Sequence, residues 1–418
     1  MARLRSLLAG HFGGLPPVFW WLWTGALISA LATFVFPFLA LFLTARGLPL
    51  SQVGLTASLF GAGAVLAGPL GGWFSDRAGR RPTVLVSLAC GGVITAALGF
   101  LRAPLAIAGG VFLFGLSMNA ARPAILATVA DVVPSESRTR AFGLSYWANN
   151  VGAAVSLVLG GLLAAQGWTL LFLADAVTTL AFAALAFFRV PETHPARADG
   201  KRPPPGDGGG WASVLSDRAL LLLLVLDLCF VVVFCQFQVT APVDMAAHGL
   251  SPAGFGRVMA VNGLLIALLQ PFAARLTRGL DTGAALAVGA ALVGLGYGAY
   301  ALCSVEWHYA LATALWTLGE ILSLPTVAAL VAGLAPMALR GRYQGLYGLT
   351  FGIGITLSPA LGSTLMERFG ARPFWAGCLA LSLLVAGGHL VIAGPRRRRL
   401  SLIAEEASSP LKAGAAAG

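Results

Sequence analysis

Three ionisable side chains, Arg122, Asp227 and Glu320, stand inside long apolar stretches of this chain. Apolar surroundings favour the protonated form of a carboxyl group, so Asp227 and Glu320 could each bind and release a proton. We favour Glu320 as the proton carrier, because Gly319 and Trp316 beside it are typical of a packed helical turn that lines a cavity. Arg122 would then tune the proton affinity of Glu320. A structural ion pair between Arg122 and Asp227 is the open alternative.

A second charged group is concentrated in one short stretch, residues 72–81, between two apolar runs. Only 10% of all residues are charged, yet this stretch holds Asp76, Arg77, Arg80 and Arg81 together with two glycines. Such a turn fixes the side of the membrane on which it lies, and its charges could also hold moving parts together. The simpler alternative is that the arginines set topology alone.

These side chains must be positioned by helices that cross a membrane. The chain has 418 residues, of which 58% are hydrophobic, and its mean hydropathy is +0.84. A helix needs about 20 apolar residues to cross a bilayer, and twelve such runs are present, from 17–43 to 372–394. The runs are continuously apolar rather than alternating, which argues against a β-barrel. We predict an all-α integral membrane protein with twelve transmembrane helices.

The net charge of +11 follows the predicted topology. With the N-terminus in the cytoplasm, 21 of the 27 lysines and arginines fall on the inside and five on the outside. This bias is the positive-inside rule. It predicts a multi-pass protein of the inner (plasma) membrane, with both termini cytoplasmic. The positive charge therefore reflects the orientation of the chain in the lipid bilayer, and no binding of nucleic acid is predicted. The five cysteines lack metal-ligand spacing, so neither a metal nor a cofactor is predicted.

The chain repeats itself on either side of a polar segment rich in proline and glycine, residues 190–216. Adding 202 to a first-half position often reaches the same residue type; examples are Gly54 and Gly256, Pro69 and Pro271, Pro123 and Pro325, and Arg138 and Arg340. An even number of helices in each half gives the two repeats the same orientation. We predict an N-terminal six-helix bundle over 1–189, a cytoplasmic linker over 190–216, a C-terminal six-helix bundle over 217–395 and a basic cytoplasmic tail over 396–418.

The motif Gly72-x-x-x-Asp76-Arg77-x-Gly79-Arg80-Arg81 resembles the loop 2–3 signature of the major facilitator superfamily (MFS). With the twelve runs, the linker and the repeat, the resemblance covers nearly the whole chain, and it is strongest to the twelve-span drug:proton antiporter group. It implies a conformational latch in which Asp76 engages the start of span eleven. The other expected members of the latch are Gly72, Arg77, Gly79, Arg80, Arg81 and Asp131.

Two features of the antiporter group are missing from this chain. Its span-five pattern contains Gly-Pro, where this sequence has Ser156 and Leu157. The group also often carries an acidic residue in span one, and none lies between Pro17 and Thr44. In the second half, the position that matches Asp76 holds Arg278, so the latch signature belongs to the first half alone.

Substrate contacts are expected from polar and aromatic side chains on several spans, since a mostly apolar pocket with a few polar groups suits amphipathic or cationic compounds. The candidates are Phe34, Asn119, Tyr146, Asn149, Gln236, Gln238, Asn262, Trp316 and Tyr347. Helix packing is the alternative role for each of them.

The resemblance implies a monomeric secondary active transporter that works by alternating access and exports small apolar or amphipathic compounds in exchange for protons, as in multidrug efflux. One alternative is proton-driven uptake of a nutrient such as a peptide or sugar, because Gly319-Glu320 with Pro325 also resembles span ten of peptide symporters. Another is a transporter-like sensor or lipid-handling protein. The sequence contains no phosphate loop, metal cluster or nucleophile triad, so we predict no enzyme.

Overall fold

The computed structural model describes residues 15–134, 137–193, 211–272, 281–336 and 339–401. Some of the predictions fall outside these residues: both chain ends, the centre of the predicted linker (194–210), Arg278 and the side chain of Tyr146. Residues 393–401 are helical, so the predicted basic tail begins within a helix.

Every regular element within the described ranges is helical. The α-helices are α1 Pro17–Leu31, α2 Val35–Ala45, α3 Leu50–Ala78, α4 Arg80–Leu98, α5 Pro104–Val132, α6 Arg138–Gln166, α7 Trp168–Arg189, α8 Trp211–Ser216, α9 Arg218–Phe234, α10 Thr240–Ala247, α11 Pro252–Leu269, α12 Thr282–Ala299, α13 Glu306–Leu334, α14 Arg340–Phe369 and α15 Ala371–Val391. Twelve spans long and apolar enough to cross a membrane are found among the described residues, which confirms the predicted fold class. Span one comprises α1 and α2, spans two to six are α3 to α7, span seven is α9 with the turn after it, and spans eight to twelve are α11 to α15.

Span one is broken near its middle. Helix α1 ends at Leu31 and α2 begins at Val35, because Pro37 has no N–H for the carbonyl four residues earlier and its ring clashes with that carbonyl. Span seven is interrupted in a similar way: α9 ends at Phe234, a short 3₁₀ turn follows, and α10 has Pro242 at its third position. Both interruptions therefore precede a helix with proline as its third residue.

Spans two and four pack backbone against backbone at three glycines, Gly63, Gly71 and Gly115. A Cβ on Gly63 would overlap the carbonyl oxygen of Phe112, one on Gly71 that of Ala120, and one on Gly115 that of Phe60. Small residues allow this close approach between membrane helices, where packing rather than water exclusion drives association.

The chain forms two compact units. The first comprises Met1–Ala198, Gln238–Ala267 and Pro359–Thr364, and the second comprises the remaining segments. A core in the first unit brings Phe19 of span one against Phe182 of span six, and a core in the second packs Leu220 of span seven with Tyr343 of span eleven. The division into two six-helix bundles at the linker stays a prediction.

Candidate functional site

Loop 2–3 consists of one residue, Gly79, between the end of α3 at Ala78 and the start of α4 at Arg80. Gly79 has a φ of 107°, a left-handed conformation that favours glycine. The carboxylate of Glu192 accepts hydrogen bonds from the backbone N–H groups of Arg80 at 3.0 Å and Arg81 at 3.1 Å. A Cβ on Gly79 would lie 2.6 Å from that carboxylate. Glu192 therefore caps the positive N-terminus of span three.

The arginine side chains of this loop bind neighbouring spans. Arg80 forms a 2.9 Å ion pair with Asp131 at the end of span four. Arg81 donates a 2.6 Å hydrogen bond to the Phe187 carbonyl of span six and lies over the Phe187 ring. These contacts, together with the Glu192 cap, tie the starts and ends of spans three, four and six into one cluster, which we call the loop 2–3 cluster.

Asp76 is exposed and makes no ion pair with the described residues, and Arg77 lies over the ring of Trp73 at 5.4 Å. A Cβ on Gly72 would meet no atom of the described structure within 4 Å. Of the predicted latch residues, the structure thus brings together Gly79, Arg80, Arg81 and Asp131. The latch of Asp76 itself stays a prediction.

Glu192 is a member of this cluster that the sequence did not indicate, because it falls at the start of the predicted linker. We expect Glu192→Ala to raise hydrogen exchange at the Arg80 and Arg81 amides about fivefold, the size expected when a helix cap is lost. Amide exchange followed by mass spectrometry of the full chain measures this change. Asp76→Ala, on the other side of the same turn, is the matched control and should leave both amides unchanged. Equal exchange in the two variants would contradict the capping role.

The break in span one is stabilised by Asp175 of span six. One oxygen of its carboxylate accepts hydrogen bonds from the backbone N–H groups of Phe34 at 2.9 Å and Val35 at 3.0 Å. Asp175 is buried, with 1% of its surface exposed. It therefore caps the restarted helix α2, and the predicted substrate residue Phe34 lies at the break, itself buried.

Removing the Asp175 carboxylate leaves two buried N–H groups without an acceptor. We expect Asp175→Ala to lower the free energy of unfolding by about 1–3 kcal/mol, the cost of unsatisfied buried groups. Asp175→Asn retains an acceptor oxygen and should lose clearly less. Thermal unfolding of the purified variants compares them; equal stability of Asp175→Ala and the wild type would show that the cap contributes nothing.

The break in span seven is stabilised by a different group. The Tyr297 hydroxyl of span nine donates a 2.6 Å hydrogen bond to the carbonyl of Phe234, where α9 ends. Within the turn, the Gln236 side chain is buried and donates to the Ser358 hydroxyl at 2.9 Å. The predicted substrate residue Gln236 is thus bound to span eleven in this conformation.

Trp316 lies in an aromatic cluster of the second unit. It is 1% exposed, stacks on Tyr297 at 5.5 Å and donates a 3.1 Å hydrogen bond to the Tyr300 hydroxyl. In this conformation it is a packing residue. Glu320, one turn further along span ten, is half-buried. The Trp316 ring also packs against the ring of Phe234, where α9 ends, with centroids 6.1 Å apart, so span ten contacts the break in span seven one turn before Glu320.

Asp227 is the most deeply buried of the three predicted proton-coupling residues. It is 1% exposed, and neither carboxylate oxygen has a hydrogen-bond partner among the described residues. Arg122 is exposed and makes no ion pair within the described ranges. An ion pair between Arg122 and Asp227 stays an open prediction for other conformations of the protein.

The remaining predicted substrate residues are dispersed. Asn119 is half-buried and donates to the Gly115 carbonyl at 2.9 Å, and Asn149 is exposed. Gln238 is buried, with its side-chain oxygen unpaired in the described structure. Asn262 and Tyr347 are half-buried. No group of His, Cys, Asp and Glu suited to a metal ion is found in the part of the chain that the structure describes.

Twelve helical spans, each long and apolar enough to cross a membrane, are found in many secondary transporters. The chain belongs to the Major Facilitator Superfamily, whose family model matches residues 22–359 and 237–415. It is a multi-pass membrane transport protein of that family, and the predicted membership is confirmed.

Its relatives include a cation/proton antiporter and tetracycline resistance proteins. The chain is 26% identical over 397 residues to the Na(+), Li(+), K(+)/H(+) antiporter of Planococcus maritimus, covering 86% of this chain and 91% of that protein. It is 28% identical over 340 residues to the class E tetracycline resistance protein of Escherichia coli, covering 78% and 82%. A crystal structure of the peptide transporter POT in complex with sulfate has the same fold, with a TM-score of 0.76, 17% identity and coverage of 93% and 96%.

Proposed function

We propose that this protein exports small cationic or amphipathic compounds in exchange for protons. The observation that carries the proposal is Asp227, a carboxyl group buried within span seven with no hydrogen-bond partner among the described residues. An ionised carboxylate in that position would be very costly, so an intramembrane acid of this kind exchanges protons when the protein changes conformation. The name of the related cation/proton antiporter supports exchange with protons, and the name of the tetracycline resistance protein supports a small drug-like compound as the substrate.

Glu320 is the second proton-binding residue of the proposal. It is half-buried on span ten, one turn beyond Trp316, whose ring packs against Phe234 at the end of α9. A cationic substrate attracted by Glu320 would compete with a proton for the same charge, which couples the two movements in opposite directions. Arg122 favours the ionised form of a carboxylate that approaches it during the conformational cycle.

The candidates for substrate contact in this proposal are Phe34, at the interruption of span one, and Gln236 and Gln238, at the interruption of span seven. Interrupted helices are typical of substrate sites in transporters, because their free backbone groups can contact a ligand. The protein is proposed to act as a monomer in the cytoplasmic membrane, with both termini in the cytoplasm.

Flux measurements in inverted membrane vesicles test the direction of coupling. The vesicle lumen is acidified, a pH-sensitive dye reports its pH, and tetracycline, Na⁺, Li⁺, K⁺ and a small amphipathic cation are added outside in turn. Antiport carries protons out as the substrate enters, so at least one compound should make the lumen more alkaline. Further acidification would indicate symport instead, and no response to a broad panel would favour a protein that moves no small solute.

A further inference from the structure

A basic cavity lies in the second unit, at the end where span seven begins and span twelve finishes. Its volume is about 570 Å³. Three arginines line it, Arg218, Arg396 and Arg399, and the single acidic residue of its lining, within the described structure, is Asp217. The lining therefore carries a net charge of +2, which favours an anion.

The charge of Asp217 is already used by the protein. One carboxylate oxygen accepts the backbone N–H groups of Ala219 and Leu220 at the start of span seven. The other accepts the Tyr343 hydroxyl at 2.8 Å and the Arg399 Nε at 3.4 Å. Asp217 therefore stabilises the wall of the cavity, and the positive charges of Arg218 and Arg396 remain available to attract an anionic ligand.

Arg396 is the unusual member of this lining. Only 2% of its surface is exposed, and its Nη1 atom is buried without a hydrogen-bond partner in the described structure. Burial lowers the pKa of the Arg396 guanidinium, and the Asp281 carboxylate opposes that shift. Because Arg396 has almost no accessible surface, it acts on the cavity through its positive charge and not as an exposed hydrogen-bond donor. A positive charge held in the wall of a cavity favours an anion such as phosphate inside it.

The surroundings of the cavity are apolar. Leu222 lines the cavity and is 50% exposed, and Val225 continues its face along span seven with 58% exposed. Trp211 and Leu215 are exposed on the short helix α8 beside it. Exposed tryptophan and leucine next to arginines are typical of the membrane–water interface. The cavity thus opens beside the lipid-facing surface of span seven, where the acyl chains of a lipid whose headgroup enters the cavity would lie.

We propose that this cavity binds the phosphate headgroup of an anionic phospholipid, with the acyl chains lying along Leu222 and Val225. The negative headgroup contacts the exposed Arg218, the charge of Arg396 attracts it from within the cavity wall, and Arg399 borders it while held by Asp217. Anionic lipids are attracted by basic residues at the cytoplasmic face, so the site places a lipid of that leaflet against spans seven and twelve.

Native mass spectrometry of the purified full chain in detergent tests the site. We expect the protein to retain phosphatidylglycerol, and Arg218→Gln to weaken retention about fivefold, the effect of one arginine at a lipid surface. Arg396→Gln alone should weaken lipid retention by a larger factor than Arg218→Gln. Arg398→Gln is the matched control: it is exposed on the same segment, lies outside the cavity lining and should bind like the wild type.

Added inorganic phosphate separates a lipid site from a site for soluble phosphate. If phosphate displaces phosphatidylglycerol at equal concentration, the cavity takes a soluble anion and the lipid proposal is wrong. Equal retention by Arg218→Gln, Arg398→Gln and the wild type would also overturn it. Arg218 is exposed and makes no ion pair within the described residues, so Arg218→Gln should fold normally. The test therefore remains decisive even if Arg396→Gln fails to fold.

Discussion

Asp227→Asn is expected to abolish proton-driven transport while leaving the folded protein as stable as the wild type. Asparagine has nearly the same shape as a protonated aspartic acid and carries no charge, so it fits the buried site in span seven. It cannot release a proton, however. We therefore expect flux driven by a pH gradient to fall at least about 100-fold, the contribution usual for a positioned proton-transfer group.

Two further measurements on the same variant separate coupling from folding. Exchange of substrate across the membrane at equal pH on both sides needs no proton release, so Asp227→Asn should retain it. The unfolding temperature of Asp227→Asn should equal that of the wild type or lie slightly above it. Glu306→Gln, a change from carboxyl to amide at the start of span ten, is the matched control and should transport normally. Normal gradient-driven flux in Asp227→Asn, with loss only in Glu320→Gln, would transfer the role to Glu320.

The fold could be predicted because the bilayer imposes it. A span must be long and apolar, so twelve runs of residues give twelve helices, and the structure contains those helices. The short loop at Gly79 could also be predicted, because the sequence has a charged motif between two apolar runs. Both features can be recognised from residues that are neighbours in the sequence, without knowing which helices pack together.

The contacts that stabilise the candidate site were not predictable, because they join residues far apart in the sequence. Asp175 caps a helix 140 residues earlier, and Glu192 caps one that begins 112 residues earlier. The break that Asp175 stabilises could have been inferred from Pro37 within span one. No feature near Asp175 or Glu192 indicated their partners.

The predicted substrate residues illustrate a second limit. Trp316 and Gln236 were selected by residue type, yet both are buried and hydrogen-bonded inside the second unit. In a soluble protein, the polar face of a helix points to solvent and the apolar face to the core, so the sequence shows which side is buried. A membrane helix is apolar towards lipid and towards its neighbours alike, so its sequence carries little information about which face packs.

Gly63→Val is expected to lower stability more than any of the other substitutions described. Spans two and four meet backbone to backbone at this position: a Cβ on Gly63 would overlap the Phe112 carbonyl oxygen and lie 2.7 Å from the Leu116 nitrogen. Backbone atoms within two long helices cannot move aside as a flexible side chain can. We expect the free energy of unfolding to fall by about 3 kcal/mol or more, the upper range for overpacking.

Gly109→Val provides a matched control on span four, the other helix of this pair. Gly109 is exposed and has nothing within 4 Å of the added Cβ, while the change in helix propensity is the same as at Gly63. Thermal unfolding and size-exclusion profiles of the two purified variants should therefore differ strongly, with Gly109→Val close to the wild type. Similar profiles would mean that spans two and four can separate at little cost, and close glycine packing would then not be what fixes this pair of helices.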